Sequence, residues 1–301
     1  MIKNILVIRN DRFGEFLLNI PAFRALKESF PGSQLTLAVS FANKELAECI
    51  ECADKVAIWD DDFKKNLRKQ KFDLCVVLNP AKEAHWACFW AGIPKRVGYN
   101  KKWGILLTHK MQDNKNLGLK HEVECNLDLV GLIDARTVDK AIRLGRLPQH
   151  NKPEYSGAIA IHPFTSDSLK QWPVEKFQEL IRRLAQDFGA KLIVVGREKD
   201  DRKEFDNLGK NVINLVNKTS LVELAQILRQ SKLLISCDSG PMHLAAAVGT
   251  PVLALFRNDL AGKTARRWGP WGKGHMVIEK SRLEDIATEE IIEIINKKLI
   301  R

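Results

Sequence analysis

The chain has 301 residues, 45% hydrophobic and 28% charged, and carries a formal net charge of +11. It is long enough for two domains with real cores. No apolar run approaches the roughly 18–20 residues that span a bilayer, and Arg9, Asp11 and Arg12 interrupt the N-terminal apolar run that a secretory signal needs, so the chain is expected in the cytoplasm.

In chain order, strand-like runs fall at 4–9, 34–40, 56–59 and 73–78, with helix-like stretches such as 15–30 and 42–52 between them. Strands alternating with helices imply a parallel sheet covered on both faces, an α/β class. The pattern weakens between about 100 and 120. Residues 145–156 are polar with two prolines and read as a linker, dividing a first domain, 1–150, from a second, 151–301. The alternation then restarts, with strands at 157–162, 191–196, 212–216, 232–237 and 251–256. Pro173 opens a helix to about Phe188, and Thr219 or Ser220 caps one through Arg229. Ile286, Ile291, Ile294, Ile295 and Leu299 share a face of a last helix over 283–300.

The positive charge points to an anionic partner: nucleic acid, an acidic membrane face or a phosphorylated substrate. Paired Cys/His fingers and aromatic-rich basic repeats are missing from the sequence, so nucleic acid is not the expected partner. Lys64, Lys65, Arg68, Lys69 and Lys71, then Lys95, Arg96, Lys101 and Lys102, form either a solvated face or an anion-binding one. Asp60-Asp61-Asp62 precedes the first of these clusters and reads as a helix cap rather than a metal pair. Six cysteines include one Cys-x-x-Cys, Cys49 and Cys52, with no second pair to complete a zinc site; reduced structural thiols are expected.

Two stretches carry chemistry. Leu233-Leu234-Ile235 leads through Asp238-Ser239-Gly240 into a short Ala-rich helix that ends at Gly249-Thr250-Pro251. Gly240 permits close backbone approach and Pro241 suits the first helical position. Such a helix start attracts an anion, commonly a phosphate. Ile159-Ala160-Ile161 leads into His162-Pro163-Phe164-Thr165 and then Lys170-Gln171-Trp172-Pro173. Lys170 therefore sits beyond the carboxyl end of a strand, where open α/β sheets bind ligands, and a lysine is a good point charge for a diphosphate.

Together these stretches resemble the heptosyltransferase family, glycosyltransferase family nine, whose pattern is Lys-x-Trp-Pro followed some seventy residues on by Asp-Ser/Thr-Gly-x-x-His-Leu-x-Ala-Ala. Ile5-Leu6-Val7-Ile8-Arg9 followed by Asp11-Arg12-Phe13-Gly14-Glu15-Phe16, opening a helix through Pro21 and Leu26, and Gly92-Ile93-Pro94-Lys95-Arg96-Val97-Gly98-Tyr99 extend the resemblance over nearly the whole chain. One departure stands out: the family's Gly-Asp, with the Asp taken as catalytic base, is Gly14-Glu15 here. A Rossmann dehydrogenase is disfavoured, because Arg9-Asn10-Asp11-Arg12-Phe13-Gly14 replaces a Gly-x-Gly-x-x-Gly turn.

The resemblance implies the GT-B architecture, two Rossmann-like domains with an interdomain cleft. It implies an inverting transferase that moves a heptose from a nucleotide-diphospho-sugar, ADP-heptose, to a phosphorylated lipid-linked glycan such as a lipopolysaccharide core. Peripheral contact with the anionic inner membrane is part of that expectation, and no metal or cofactor is. Glu15 would deprotonate the acceptor and Lys170 would neutralise the leaving diphosphate. Thr165, Asp238, Ser239, Gly240, Met242 and His243 would bind the donor, with Asp200 on the ribose and Glu198 and Asp201 as its close competitors. Lys64, Lys65, Arg68 and Arg96 would receive the acceptor. The alternative is a catalytically weakened or non-catalytic nucleotide-sugar-binding protein at the membrane surface.

Overall fold

A computed structural model describes residues 2–150, 152–197 and 203–299. The chain divides into two compact units, Met1–Arg146 and Leu147–Arg301.

The first unit runs β1 (Asn4–Ile8), α1 (Phe13–Leu17), α2 (Ile20–Ser29), β2 (Gln34–Val39), α3 (Lys44–Glu48), β3 (Lys55–Ile58), α4 (Asp61–Asn66), β4 (Leu74–Val77), α5 (Lys82–Trp90), β5 (Lys95–Tyr99), β6 (His109–Met111) and α6 (Glu122–Gly131). Its sheet is parallel in the order β3-β2-β1-β4-β5-β6. The central strands β1 and β4 are buried along nearly their whole length, which is why Ile5–Ile8 and Leu74–Val77 read as unbroken apolar runs.

The helix expected over 15–30 is two helices. α1 ends at Leu17, and α2 starts at Ile20 with Pro21 in its first turn. Pro21 has no N–H to donate back to Leu17, so the chain breaks at Leu18-Asn19 and restarts where a proline costs nothing. The expected helix over 42–52 shortens to a 3-10 turn and α3. The weakly patterned stretch from 100 to 120 contributes β6 and two 3-10 turns.

The second unit runs β7 (Ile159–His162), α7 (Val174–Gln186), β8 (Leu192–Val194), β9 (Val212–Asn214), α8 (Leu221–Gln230), β10 (Leu233–Cys237), α9 (Gly240–Ala247), β11 (Val252–Arg257), α10 (Ala265–Trp268), β12 (Met276–Lys280) and α11 (Thr288–Leu299). Its sheet is also parallel, in the order β12-β11-β10-β7-β8-β9. α7 buries Phe177, Leu180, Ile181 and Leu184, one stripe of an amphipathic helix. Of the two cap candidates for α8, Ser220 does the work: its Oγ accepts from Glu223 N at 3.2 Å, and its own N–H donates to Glu223 Oε2 at 2.8 Å. Trp172 is fully buried, packs edge-on to Phe177 at 4.7 Å, and donates from Nε1 to the Ile286 carbonyl at 3.2 Å. α11 places Ile291, Ile292 and Ile295 in this same core.

Candidate active site

Each sheet reverses its strand order once, between β1 and β4 in the first unit and between β7 and β10 in the second. Open α/β sheets bind ligands outside the carboxyl ends of the strands at such a point.

In the second unit, the loops leaving β7 and β10 meet there. Lys170 ends the 3-10 turn Ser168–Lys170, whose cap Asp167 accepts from Leu169 N at 3.2 Å. Asp238 follows β10 directly. Lys170 Nζ and Asp238 Oδ2 form an ion pair, with side chains only 16% and 10% exposed. Two residues that sequence reasoning placed separately in a donor site are thus already joined. Asp238 supplies the counter-charge that Lys170 needs in a half-buried position. A diphosphate arriving here competes with a carboxylate for one ammonium group.

Ser239 occupies the cap position of α9 without capping it. Its Oγ turns back to His162 Nδ1 at 3.1 Å and to Ser236 Oγ at 2.9 Å. The start of α9, at Gly240, therefore carries no side-chain cap and presents the positive end of the helix toward the Lys170 loop. Met242 and His243 are buried, and Met242 N donates to the Ser239 carbonyl at 3.2 Å, so Met242 contributes shape rather than an exposed group. Thr165 Oγ1 accepts from Asp167 N at 3.3 Å. Asp200 lies outside the described residues.

Three residues join this site that sequence reasoning passed over. His162 ends β7 and is buried against Ser236, Ser239 and Phe164. Arg257 ends β11, pairs with Asp259 at 2.6 Å and donates to the Leu169 carbonyl at 3.3 Å. Lys263 pairs with Asp167 at 3.1 Å, and that hydrogen bond holds the Asp167 carboxyl below its ordinary range. Arg257 and Lys263 together brace the loop that bears Lys170. The one available signal was position: Arg257 stands at the carboxyl end of an apolar strand run.

In the first unit, Arg9 closes the switch point. Its NH1 donates to the Leu78 carbonyl at 3.1 Å, and its Nε pairs with Asp11 at 2.7 Å. Glu15 lies in the first turn of α1, paired with Arg12 and 13% exposed, while Arg12 itself is 74% exposed. The four basic residues assigned to the acceptor divide. Lys64 is taken up by Asp61 and Glu83, whose hydrogen bonds raise its pKa in that order. Arg96 donates to the Leu106 carbonyl at 2.7 Å and the Ile93 carbonyl at 2.5 Å, stapling β5 to its flanking loops. Lys65 and Arg68 are exposed. Asp60 caps α4, accepting from Phe63 N at 2.8 Å. Among the described residues, no group of three or more His, Cys, Asp or Glu side chains is arranged to hold a metal ion, and no helix is long and apolar enough to cross a membrane.

Residues 61–296 match glycosyltransferase family 9 (heptosyltransferase). The chain belongs to glycosyltransferase family 9. Lipopolysaccharide heptosyltransferase 3 of Escherichia coli K12 is 27% identical, over 86% of this chain and 82% of that protein. Lipooligosaccharide heptosyltransferase 2 of Haemophilus influenzae is 24% identical, over 89% and 85%. Among solved structures, E. coli ADP-heptose lps heptosyltransferase II superposes with a TM-score of 0.83 at 21% identity, covering 99% of this chain and 98% of that one. E. coli heptosyltransferase WaaC with ADP does so with a TM-score of 0.81 at 16% identity, covering 98% and 99%. The two Rossmann-like α/β units expected of a family 9 glycosyltransferase are borne out, and the protein is an enzyme of that class. Lys170 and Asp238 fall within the span matched to family 9, and Glu15 precedes it.

Proposed function

We propose that this family 9 enzyme transfers a heptose or related sugar from ADP-heptose to a lipopolysaccharide core or similar phosphorylated, lipid-linked glycan, inverting the anomeric carbon. The Lys170–Asp238 ion pair beside the open start of α9 carries this reading. It puts an exchangeable cation, a hydroxyl acceptor and a helix dipole at one switch point, the combination a diphospho-sugar needs. The names of similar proteins agree: one relative is a lipopolysaccharide heptosyltransferase, and a superposable structure holds ADP-2-deoxy-2-fluoro heptose.

On this reading the donor diphosphate takes Lys170 from Asp238, and Asp238 turns to the sugar hydroxyls. The α9 start and Ser239 receive phosphate oxygens, Thr165 borders them, and Met242 and His243 shape the pocket from beneath. Asp200 binds the ribose. Glu15 accepts the proton of the acceptor hydroxyl. That oxygen bonds to the anomeric carbon from the face opposite the diphosphate, and the carbon–oxygen bond to the diphosphate breaks. ADP departs with its new charge met by Lys170 and the helix start. Lys65 and Arg68, both exposed, meet the acceptor phosphates, and the enzyme works peripherally at the cytoplasmic face of an anionic membrane.

The test is nucleoside-diphosphate release from ADP-, UDP- and GDP-sugars in the presence of delipidated lipopolysaccharide cores, for wild type and Glu15→Gln. Acceptor-dependent ADP release that drops about 10²–10⁴-fold in Glu15→Gln is expected for a lost general base. Nucleotide binding without release from any pair would instead favour a non-catalytic nucleotide-sugar-binding protein.

A further inference from the structure

The first unit exposes an aromatic cluster that the transfer chemistry does not use. On α5, Trp86 and Trp90 stack at 5.7 Å with their planes 8° apart, and Phe89 meets both edge-on. Trp103, from the loop after β5, lies 5.0 Å from Trp86. Trp90 is 68% exposed and neighbouring Ile105 is 80% exposed; Phe89 and Trp103 are also exposed. A contiguous apolar patch of this kind marks an interaction site.

The loop is built to hold Trp103 there. Lys102 and Trp103 both adopt left-handed backbone, at φ 45° and 72°, which side-chain-bearing residues rarely do consecutively. His85 Nδ1, from the buried side of α5, bonds the Lys102 carbonyl at 2.8 Å and fixes this turn against the helix.

The rim is basic. Residues 81–110 hold six Lys and Arg and one acidic residue, Glu83. Glu83 is neutralised by Lys64. Lys82 lies one turn before Trp86 on the same face of α5, Arg96 sits over the Phe89 ring at 5.5 Å, and Lys102 adjoins Trp103.

We infer that this patch is a membrane-docking surface, in which Phe89, Trp90 and Trp103 enter the interfacial layer of an anionic bilayer and the surrounding lysines meet its headgroups. Tryptophan suits that layer because it couples a large apolar ring to one N–H donor. Basic residues around exposed aromatics complement anionic lipid. A second copy of the chain would set like charges against each other. A glycan platform would need acidic partners for sugar hydroxyls, whereas Glu83, the one acidic residue of 81–110, is engaged by Lys64. The inference rests on the peripheral membrane contact in the proposed function and gives it a surface, the α5 aromatics, but does not depend on the transfer reaction.

The test is flotation of the full chain with vesicles of phosphatidylglycerol and phosphatidylethanolamine, against phosphatidylcholine alone, without donor or acceptor. Wild type should float with the anionic vesicles, and brominated lipid should quench its tryptophan emission. Phe89→Ser/Trp90→Ser should weaken flotation by about tenfold or more, and Lys82→Glu/Lys102→Glu should abolish the preference for anionic lipid. Thermal melting and ADP binding should stay unchanged in both, reporting an intact fold. Undiminished flotation of the aromatic variant, or flotation without quenching, overturns the inference. So does a self-association that the aromatic variant removes, or a raised KM for a lipid-free acceptor in that variant with flotation intact.

Discussion

Lys170 Nζ and Asp238 Oδ2 are paired across the point where the second sheet reverses its strand order. On the proposed reading Asp238 competes with phosphate for Lys170 and then serves the sugar. Asp238→Asn should bind ADP more tightly than wild type, because Lys170 is released, while sugar transfer falls. Lys170→Ala should weaken ADP binding and lower kcat/KM by about 10²–10³-fold, the usual loss when one fixed donor to a developing anion is removed. Calorimetric titration of ADP into both variants separates the effects; equal weakening in both would sink the competition.

Glu15 is held by Arg12 within five-residue α1. Glu15→Gln should depress kcat with little change in donor affinity, since on the proposed reading the group acts on the acceptor. Glu15→Asp should retain substantially more activity than Glu15→Gln, because a carboxylate one methylene shorter keeps the basicity and loses only reach. Steady-state kinetics with the acceptor varied would decide it.

Gly196 has φ +144° at the carboxyl end of β8, and a Cβ there would sit 2.5 Å from the Phe164 ring and 3.0 Å from His162. Phe164 is itself wedged between His162 and Phe205, each ring 5.7 Å away. Gly196→Ala should cost the second unit ~1–3 kcal/mol. Thermal melting should show a drop, and ADP should restore part of it.

Burial lowers the pKa of His85 in the first unit and His275 in the second from the ordinary 6.5. Each folded unit then binds fewer protons than its unfolded chain. Stability is complete above pH 6.5 and declines as pH falls below it. Asp73, lowered by the backbone N–H groups of Asn4 and Lys3, adds its loss only at more acidic pH, below 3.8. Unfolding midpoints between pH 7.5 and 5 should fall, and His85→Gln should flatten that fall for the first unit.

Much of the architecture was legible in the sequence, because central parallel strands are buried on both faces and Ile5–Ile8 or Leu233–Cys237 need no alternation to be recognised. α5 and β5 were not assigned. Trp86, Phe89 and Trp90 face outward, which blurs the apolar stripe of the helix, and β5 opens with Lys95-Arg96. The site was legible as separate parts. Spacing could not show that Lys170 and Asp238, 68 residues apart, meet in one ion pair. Nor could it show that Ser239 leaves its helix to bond His162. Arg257 and Lys263 become visible only once the sheet order sets β11 beside β10.

Each unit is a continuous length of chain, and each sheet closes on strands from its own half. The first unit needs no residue after Arg146, and chains are made N-terminal end first at roughly 5–20 residues per second. Domains of this topology fold within milliseconds to seconds. The nascent chain can thus present a finished first unit, with its aromatic patch formed, before the β12 edge of the second sheet has been made.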